Sequence, residues 1–174
     1  MESTVLIETP RLVLRLWSEA EVNALIALCT SEGFDDYTTG RFQNMDFEKG
    51  TSFISEEQKI FHEHGIGRLG VFLRTNGNPI GMCGLYKMTD PNFLGTIGIA
   101  YRFPKEHWGN GYAPEAALAL VEYGFKSLNF ESISAIIDPK NIRSSRVVEK
   151  IGMKFLNDVT YKNEIRQHWI SPNH

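Results

Sequence analysis

The most constraining stretch of this chain is Trp108-Gly109-Asn110-Gly111-Tyr112-Ala113-Pro114-Glu115, because of what stands on either side of it. Upstream, Thr96 to Phe103 reads as a strand. Downstream, Leu118, Val121, Phe125 and Leu128 mark an amphipathic helix, and Pro114 sits where a first helical turn tolerates proline. An isoleucine-rich strand, Ser132 to Ile137, follows. Strand, helix, strand over 96–137 predicts a parallel pair joined by a right-handed crossover. The two glycines permit unusual backbone angles and leave no side chain in the way. Successive N–H groups can then turn into one concavity, where the helix dipole adds positive potential. Such a loop holds an anionic phosphate without a lysine. A tight strand-to-helix connection with no ligand has the same composition, so the loop alone leaves both readings open.

The other segments fit around this unit. Leu12, Leu14 and Leu16 alternate with Val13, Arg15 and Trp17 as a first strand. Ser18 precedes Glu21 at capping-box spacing, and Val22, Leu25, Ile26 and Cys29 share one helical face. Thr30 to Asn44 has little periodicity and reads as a loop. Asp46 caps a second helix whose Phe47, Ile54, Phe61 stripe runs to about His64. Leu69–Leu73 and Ile80–Met88 pair as a hairpin across Asn76-Gly77-Asn78-Pro79. Ser144 or Ser145 opens a short helix that Gly152 closes, and strands near Lys154–Val159 and Glu164–Ile170 end the chain. The expectation is one α/β (α+β) domain over residues 1–174, a mixed sheet with helices on its faces.

Charge and composition remove several functions. Eighteen basic and 21 acidic residues give a net charge of −3, which argues against nucleic acid as the main partner. No apolar run approaches the ~20 residues of a membrane span, and Met1 to Thr4 lacks a signal-peptide pattern, so the expected location is the cytoplasm. Cys29 and Cys83 read as two reduced, core-type thiols. No metal is expected: the cysteines lack ligand spacing, and His62 and His64, two apart on a helix, face different directions. Gly65-Ile66-Gly67-Arg68-Leu69-Gly70 matches a dinucleotide fingerprint in letters only. It leaves a helix and enters a strand, whereas the fingerprint leaves a strand and opens a helix.

A second segment matches at the expected separation. Asp138-Pro139-x-Asn141-x-x-Ser144-x-Arg146-Val147-x-Glu149-Lys150-x-Gly152 follows the Ser132 strand. With Trp108–Ala116, with Gly81-x-x-Gly84-Leu85, and with Glu8-Thr9-Pro10-Arg11-Leu12 and Leu14-Arg15, it resembles the GNAT superfamily of acyl-CoA-dependent N-acyltransferases. The resemblance is greatest to the branch containing the RimJ/RimL ribosomal-protein alanine acetyltransferases. It covers nearly the whole chain, although residues 30–68 match only in general shape.

The resemblance implies a GNAT fold: a mixed sheet of about six or seven strands, splayed in its middle and flanked by about four helices, with acyl-CoA in the opening. It implies a β-bulge near Ala100–Arg102 and main-chain pairing of Arg102 and Phe103 with the pantetheine arm. It implies that N–H groups of Trp108, Gly109, Asn110, Gly111, Tyr112 and Ala113 hold the pyrophosphate, and that Asn141 contacts CoA. Trp108 can equally pack over the loop, and Asn141 can serve as a turn residue. Most of the superfamily has a tyrosine before the Glu149-Lys150 equivalent to protonate the departing thiolate. Here that position is Val148, and the branch's proposed donor matches Ser144. A serine there also fits a helix N-cap, and one hydroxyl can do both jobs.

The implied reaction is acetyl transfer from acetyl-CoA to a primary amine, a peptide N-terminus or a small molecule, by direct attack in a ternary complex. The amine must be neutral to attack; an α-amine titrates near about 8 and an alkylamine near about 10. The carboxylate that relatives often carry on the strand before the pyrophosphate loop is replaced by Gly98. Glu32, Asp35 and Asp36 either attract a cationic amine or form a solvated acidic loop. Phe34, Tyr37, Phe42, Phe47 and Phe53 either line the acceptor pocket or pack in loop and core. Missing both Tyr and carboxylate, the chain also fits a non-catalytic acyl-CoA-binding module. A nucleotide binder using only the Gly109–Gly111 loop leaves the Asn141–Gly152 match unexplained. Nothing in the sequence chooses between monomer and homodimer.

Overall fold

A computed structural model describes residues 5–37, 40–93 and 95–172. Eight strands form one sheet: β1 Val5–Glu8, β2 Leu12–Arg15, β3 Arg68–Leu73, β4 Pro79–Lys87, β5 Ile97–Arg102, β6 Ser132–Ile137, β7 Lys154–Tyr161 and β8 Glu164–Pro172. Their order is β1-β2-β3-β4-β5-β6-β8-β7. The α-helices are α1 Val22–Cys29, α2 Phe47–His64, α3 Tyr112–Lys126 and α4 Ile142–Lys150. Eight strands exceed the six or seven expected. The addition is β1, cut from β2 at Pro10, which has no N–H to give a ladder, while Thr9 N donates to Leu12 O at 2.9 Å in a turn.

Helix boundaries follow local chemistry. Asp46 Oδ1 accepts from Lys49 N at 2.9 Å to start α2, and Gly65, at a φ of +69°, ends it. The α3 face differs from the expected stripe. Ala116, Ala117, Leu120, Val121 and Gly124 are buried, whereas Leu118 is 43% exposed. Glu122 and Lys126 share the outer face with Leu118, and small side chains on the inner face permit close approach to the sheet. A Cβ at Gly124 would lie 2.8 Å from Ile133 Cδ1.

The sheet is covered on both sides. Val71, Cys83, Leu85, Ile99 and the buried face of α3 form one core. Phe72, Met82, α1 and α2 form another, with Phe34, Phe42 and Phe53 inside it. Alternate residues of β3 and β4 therefore feed opposite cores, and β4 is buried along most of its length.

The parallel crossover is present, but its ladder is minimal. β5 and β6 pair only at Gly98↔Ser134 and then diverge. All other neighbouring strands are antiparallel. The bulge expected near Ala100–Arg102 is absent: the β4–β5 register runs unbroken from Lys87↔Ile97 to Met82↔Arg102. The opening comes from divergence of the two parallel strands, with no extra residue in β5.

Candidate active site

The divergence leaves a cavity of about 550 Å³ between β5, β6, the β5–α3 connection and α4. Beyond Gly98, the β6-facing edge of β5 has no strand partner, so its main-chain groups face the gap.

The β5–α3 loop forms one wall. Gly109 and Gly111 both have a φ of +78°, and Gly111 is the N-cap of α3. That left-handed geometry turns the helix N-terminus toward the cavity. Trp108, Gly109, Gly111, Tyr112 and Ala113 line the space. Asn110 does not: its amide turns back to the carbonyls of His107 and Trp108, both at 3.2 Å. A clamp from the chain's beginning braces the loop. Arg11 donates to Asn110 O at 2.8 Å and to Glu115 Oε2 at 2.6 Å, and Thr9 Oγ1 donates to Glu115 Oε1 at 2.6 Å. Burial pushes the Glu115 carboxyl up, but the bonds from Thr9 and Arg11 outweigh it and hold the group below the ordinary carboxylate range. Thr9, Arg11 and Glu115 stand in the segments Glu8–Leu12 and Trp108–Ala116, and nothing in those segments shows that they meet.

The opposite wall is α4. Asn141, not Ser144 or Ser145, is its N-cap: Asn141 Oδ1 accepts from Ser144 N at 3.2 Å. The cap explains Asn141 structurally, and the residue still lines the cavity. Ser144 is relieved of capping, and no hydrogen bond among the described residues holds its hydroxyl, which belongs to the cavity wall. Val148 is fully buried in the core. A residue without a sequence-assigned role, Tyr101, spans the gap: its hydroxyl donates to Ser144 O at 2.9 Å. Burial raises the Tyr101 pKa, so the phenol stays protonated and ties β5 to α4.

Trp108 packs over the loop. Its indole N–H donates to Phe103 O at 2.7 Å, and Arg143 of α4 stacks on its ring at 3.3 Å. Phe103 itself is buried against Gly81, where a Cβ would come within 2.4 Å of the ring. Arg143, Arg146 and Lys150 border the cavity on the α4 side. The expectation that backbone and dipole alone would meet a polyanion is therefore incomplete, since cationic side chains stand beside them.

The α1–α2 side of the sheet forms the other end. Arg102 points there, against the Phe42 ring at 4.8 Å. Arg68 and Tyr86 join it, with the guanidinium 5.2 Å from the tyrosine ring. A Cβ at Gly98 would lie 2.6 Å from Tyr86 Cζ, so this position is covered by a tyrosine. Burial pushes the Tyr86 hydroxyl up to about 12, and it hydrogen-bonds Tyr161. The acidic loop is largely spent on internal pairs: Glu32 with Lys105 at 2.5 Å, and Asp35 with Arg102 at 3.6 Å and Phe42 N at 3.3 Å. Asp36 and Tyr37 reach the cavity, as does Phe34. Phe42 and Phe53 are core, and Phe47 is 62% exposed.

Among the described residues there is no cluster of three or more His, Cys, Asp or Glu that could hold a metal, and no helix long and apolar enough to cross a membrane. Cys29 and Cys83 are buried and unpaired; burial lifts Cys29 to about 12 and raises Cys83 further.

This architecture, a glycine-loop helix N-terminus facing the gap between two diverging parallel strands, has known counterparts. A family model described as the acetyltransferase (GNAT) domain matches residues 11–154. The chain belongs to the GNAT acetyltransferase family. It is 30% identical over 164 residues to the uncharacterized protein YkkB of Bacillus subtilis, covering 94% of each chain. It is 28% identical to the uncharacterized N-acetyltransferase YoaA of the same organism, covering 91% of this chain and 89% of that one. Among solved structures, RimL, described as a ribosomal L7/L12 α-N-protein acetyltransferase in complex with coenzyme A, superposes with a TM-score of 0.82 at 12% identity over 97% of each chain.

Proposed function

We propose that the chain transfers an acetyl group from acetyl-CoA to a primary amine, both bound at once, within the cytoplasm. The observation that carries this is the single-pair β5–β6 ladder opening directly onto the Gly109–Gly111 turn at the start of α3. An extended arm with amide groups can pair along the unpartnered β5 edge at Arg102 and Phe103 as an added strand does. Its pyrophosphate meets the N–H groups of the α3 N-terminus and the cations Arg143, Arg146 and Lys150. The thioester then lies near Ser144.

In the reaction the amine nitrogen attacks the thioester carbonyl. The C–N bond forms, the C–S bond breaks, and the thiolate leaves as coenzyme A after gaining a proton. Ser144 Oγ–H gives its proton to the emerging thiolate and recovers one from the water that takes the amine's proton. Tyr101 serves by positioning, because its proton is committed to Ser144 O. With Gly98 lacking a side chain, the amine enters neutral and releases its second proton to water. The rate should accordingly rise with pH along the acceptor's own amine titration.

Calorimetric titration with acetyl-CoA, followed by thiol release over an amine panel, tests the proposal. Micromolar binding and acceptor-dependent thiol release are expected. Failure to bind acetyl-CoA refutes it, and binding without turnover of any amine establishes a non-catalytic acyl-CoA module instead.

A further inference from the structure

The acceptor end of the cavity has a charge pattern opposite to the one its loop composition suggests. Glu32, Asp35 and Asp36 would draw a cationic amine, yet the first two are held in internal ion pairs. Beside Asp36, that end of the cavity presents three guanidiniums: Arg68, Arg102 and Arg41 all line it. Ala100, small and on the same sheet face, lines the cavity with Arg68 and Arg102.

The two inner arginines are held from behind. Glu57, 2% exposed and outside the cavity wall, accepts Arg68 Nη1 at 2.8 Å and Arg68 N at 2.7 Å. Asp35, also outside the wall, stands 3.6 Å from Arg102 Nε. That distance is too long for a hydrogen bond, and Arg102 Nε is buried without a hydrogen-bond partner. Burial, and then the nearby charges of Arg68 and Arg41, draw the Arg102 pKa down to about 10, while Asp35 opposes the fall. A buried donor without a partner and converging like charges both cost free energy. A carboxylate placed between the arginines offsets the convergence of like charge, and its two oxygens match the fork of a guanidinium. A polycation placed there adds a third repulsion.

We infer that the acceptor is an amine that also carries a carboxylate, received by Arg102 and Arg68. This rests on the acetyltransferase proposal above and names its second substrate by chemistry. The carboxylate can belong to a free amino acid or to an acidic residue beside a peptide's N-terminus. Both present the same group at short range from the amine.

Matched acceptors test the inference at saturating acetyl-CoA. Glutamate is compared with glutamine, a peptide with glutamate at its second position with its lysine counterpart, and spermidine is added. The carboxylate-bearing member of a pair should show at least about tenfold higher kcat/KM. The better pair tells free amino acid from peptide. Arg102→Gln should erase the preference mainly through acceptor KM rather than kcat. Arg41→Gln, at a more exposed site, should lower the preference partially and guards against misfolding of the buried variant. Preference for spermidine or for the amide members overturns the inference. So does a preference that survives Arg102→Gln, or acetyl-CoA binding without turnover of any carboxylate-bearing amine. Absence of acetyl-CoA binding instead defeats the acetyltransferase proposal itself.

Discussion

One end of the cleft is made of main chain and the other of side chains. The proposed coenzyme end is local: the β5 edge, the Gly109–Gly111 turn and the first turn of α3 lie within residues 97–115. The proposed acceptor end is assembled from β3, β4, β5 and the α1–α2 loop, through Arg68, Tyr86, Arg102 and Asp36. Main-chain recognition depends on backbone conformation, so it fails when a φ angle is denied. Side-chain recognition depends on counter-charges behind the wall, so it fails when a buried partner is removed. The two ends should therefore respond to different kinds of substitution.

The largest effect is expected behind the acceptor end. Glu57→Ala leaves the Arg68 guanidinium inside the protein without its carboxylate, and loss of one partner of a buried pair costs about 3–5 kcal/mol. Thermal unfolding should show that loss directly. A change within error would mean that Arg68 reaches water without Glu57. Gly111→Val comes next and acts at the other end. A β-branched residue at a φ of +78° costs about 1–3 kcal/mol, and its Cβ starts 3.4 Å from Arg11 Nη2. Acetyl-CoA affinity should fall about tenfold or more, with acceptor KM nearly constant. Equal affinity would remove the loop from coenzyme binding. Ser144→Ala should be smaller and confined to kcat, roughly tenfold, because the hydroxyl matters only as negative charge grows on sulfur. Unchanged turnover would leave Ser144 as wall alone.

The same contrast explains what the sequence could reveal. The glycine loop and the Asn141–Gly152 segment were legible because each is contiguous, and main-chain function needs specific residues at fixed spacing. Seven of the strands were legible from alternation. β1 was not, because it is four residues long and its break at Pro10 looked like part of one opening strand. The inner face of α3 was hidden because it is built from Ala and Gly as well as Leu and Val, and capping by Asn141 by two serines that could have served. The proposed acceptor end was not legible for a deeper reason. Glu32, Asp35 and Asp36 advertise negative charge in one stretch of sequence. Their partners Lys105 and Arg102 lie some seventy residues away, and Glu57 and Arg68 come from a helix and a strand that only the fold opposes. Tyr101 was passed over because its task, a bond to a carbonyl of α4, leaves no pattern in sequence.

The smallest effect expected joins the two kinds of construction, since a side-chain clamp holds the main-chain loop. Glu115→Gln keeps the shape but loses the charge that gathers Arg11 and Thr9 beneath Asn110 O. The half-exposed Arg11 pair is partly screened by solvent, so about 1 kcal/mol or less of stability is expected to go. Acetyl-CoA should weaken a fewfold as the loop loses its brace. Acidity supplies the sharper check. The folded carboxyl titrates below its unfolded value, so the charge stabilises fully above the ordinary glutamate range. That contribution disappears as pH falls through the depressed folded value. The difference in Tm between the parent chain and Glu115→Gln should thus be constant near neutrality and shrink on acidification. A difference that persists at low pH would show that Glu115 acts through shape and packing, and the loop would then be held by its glycines alone.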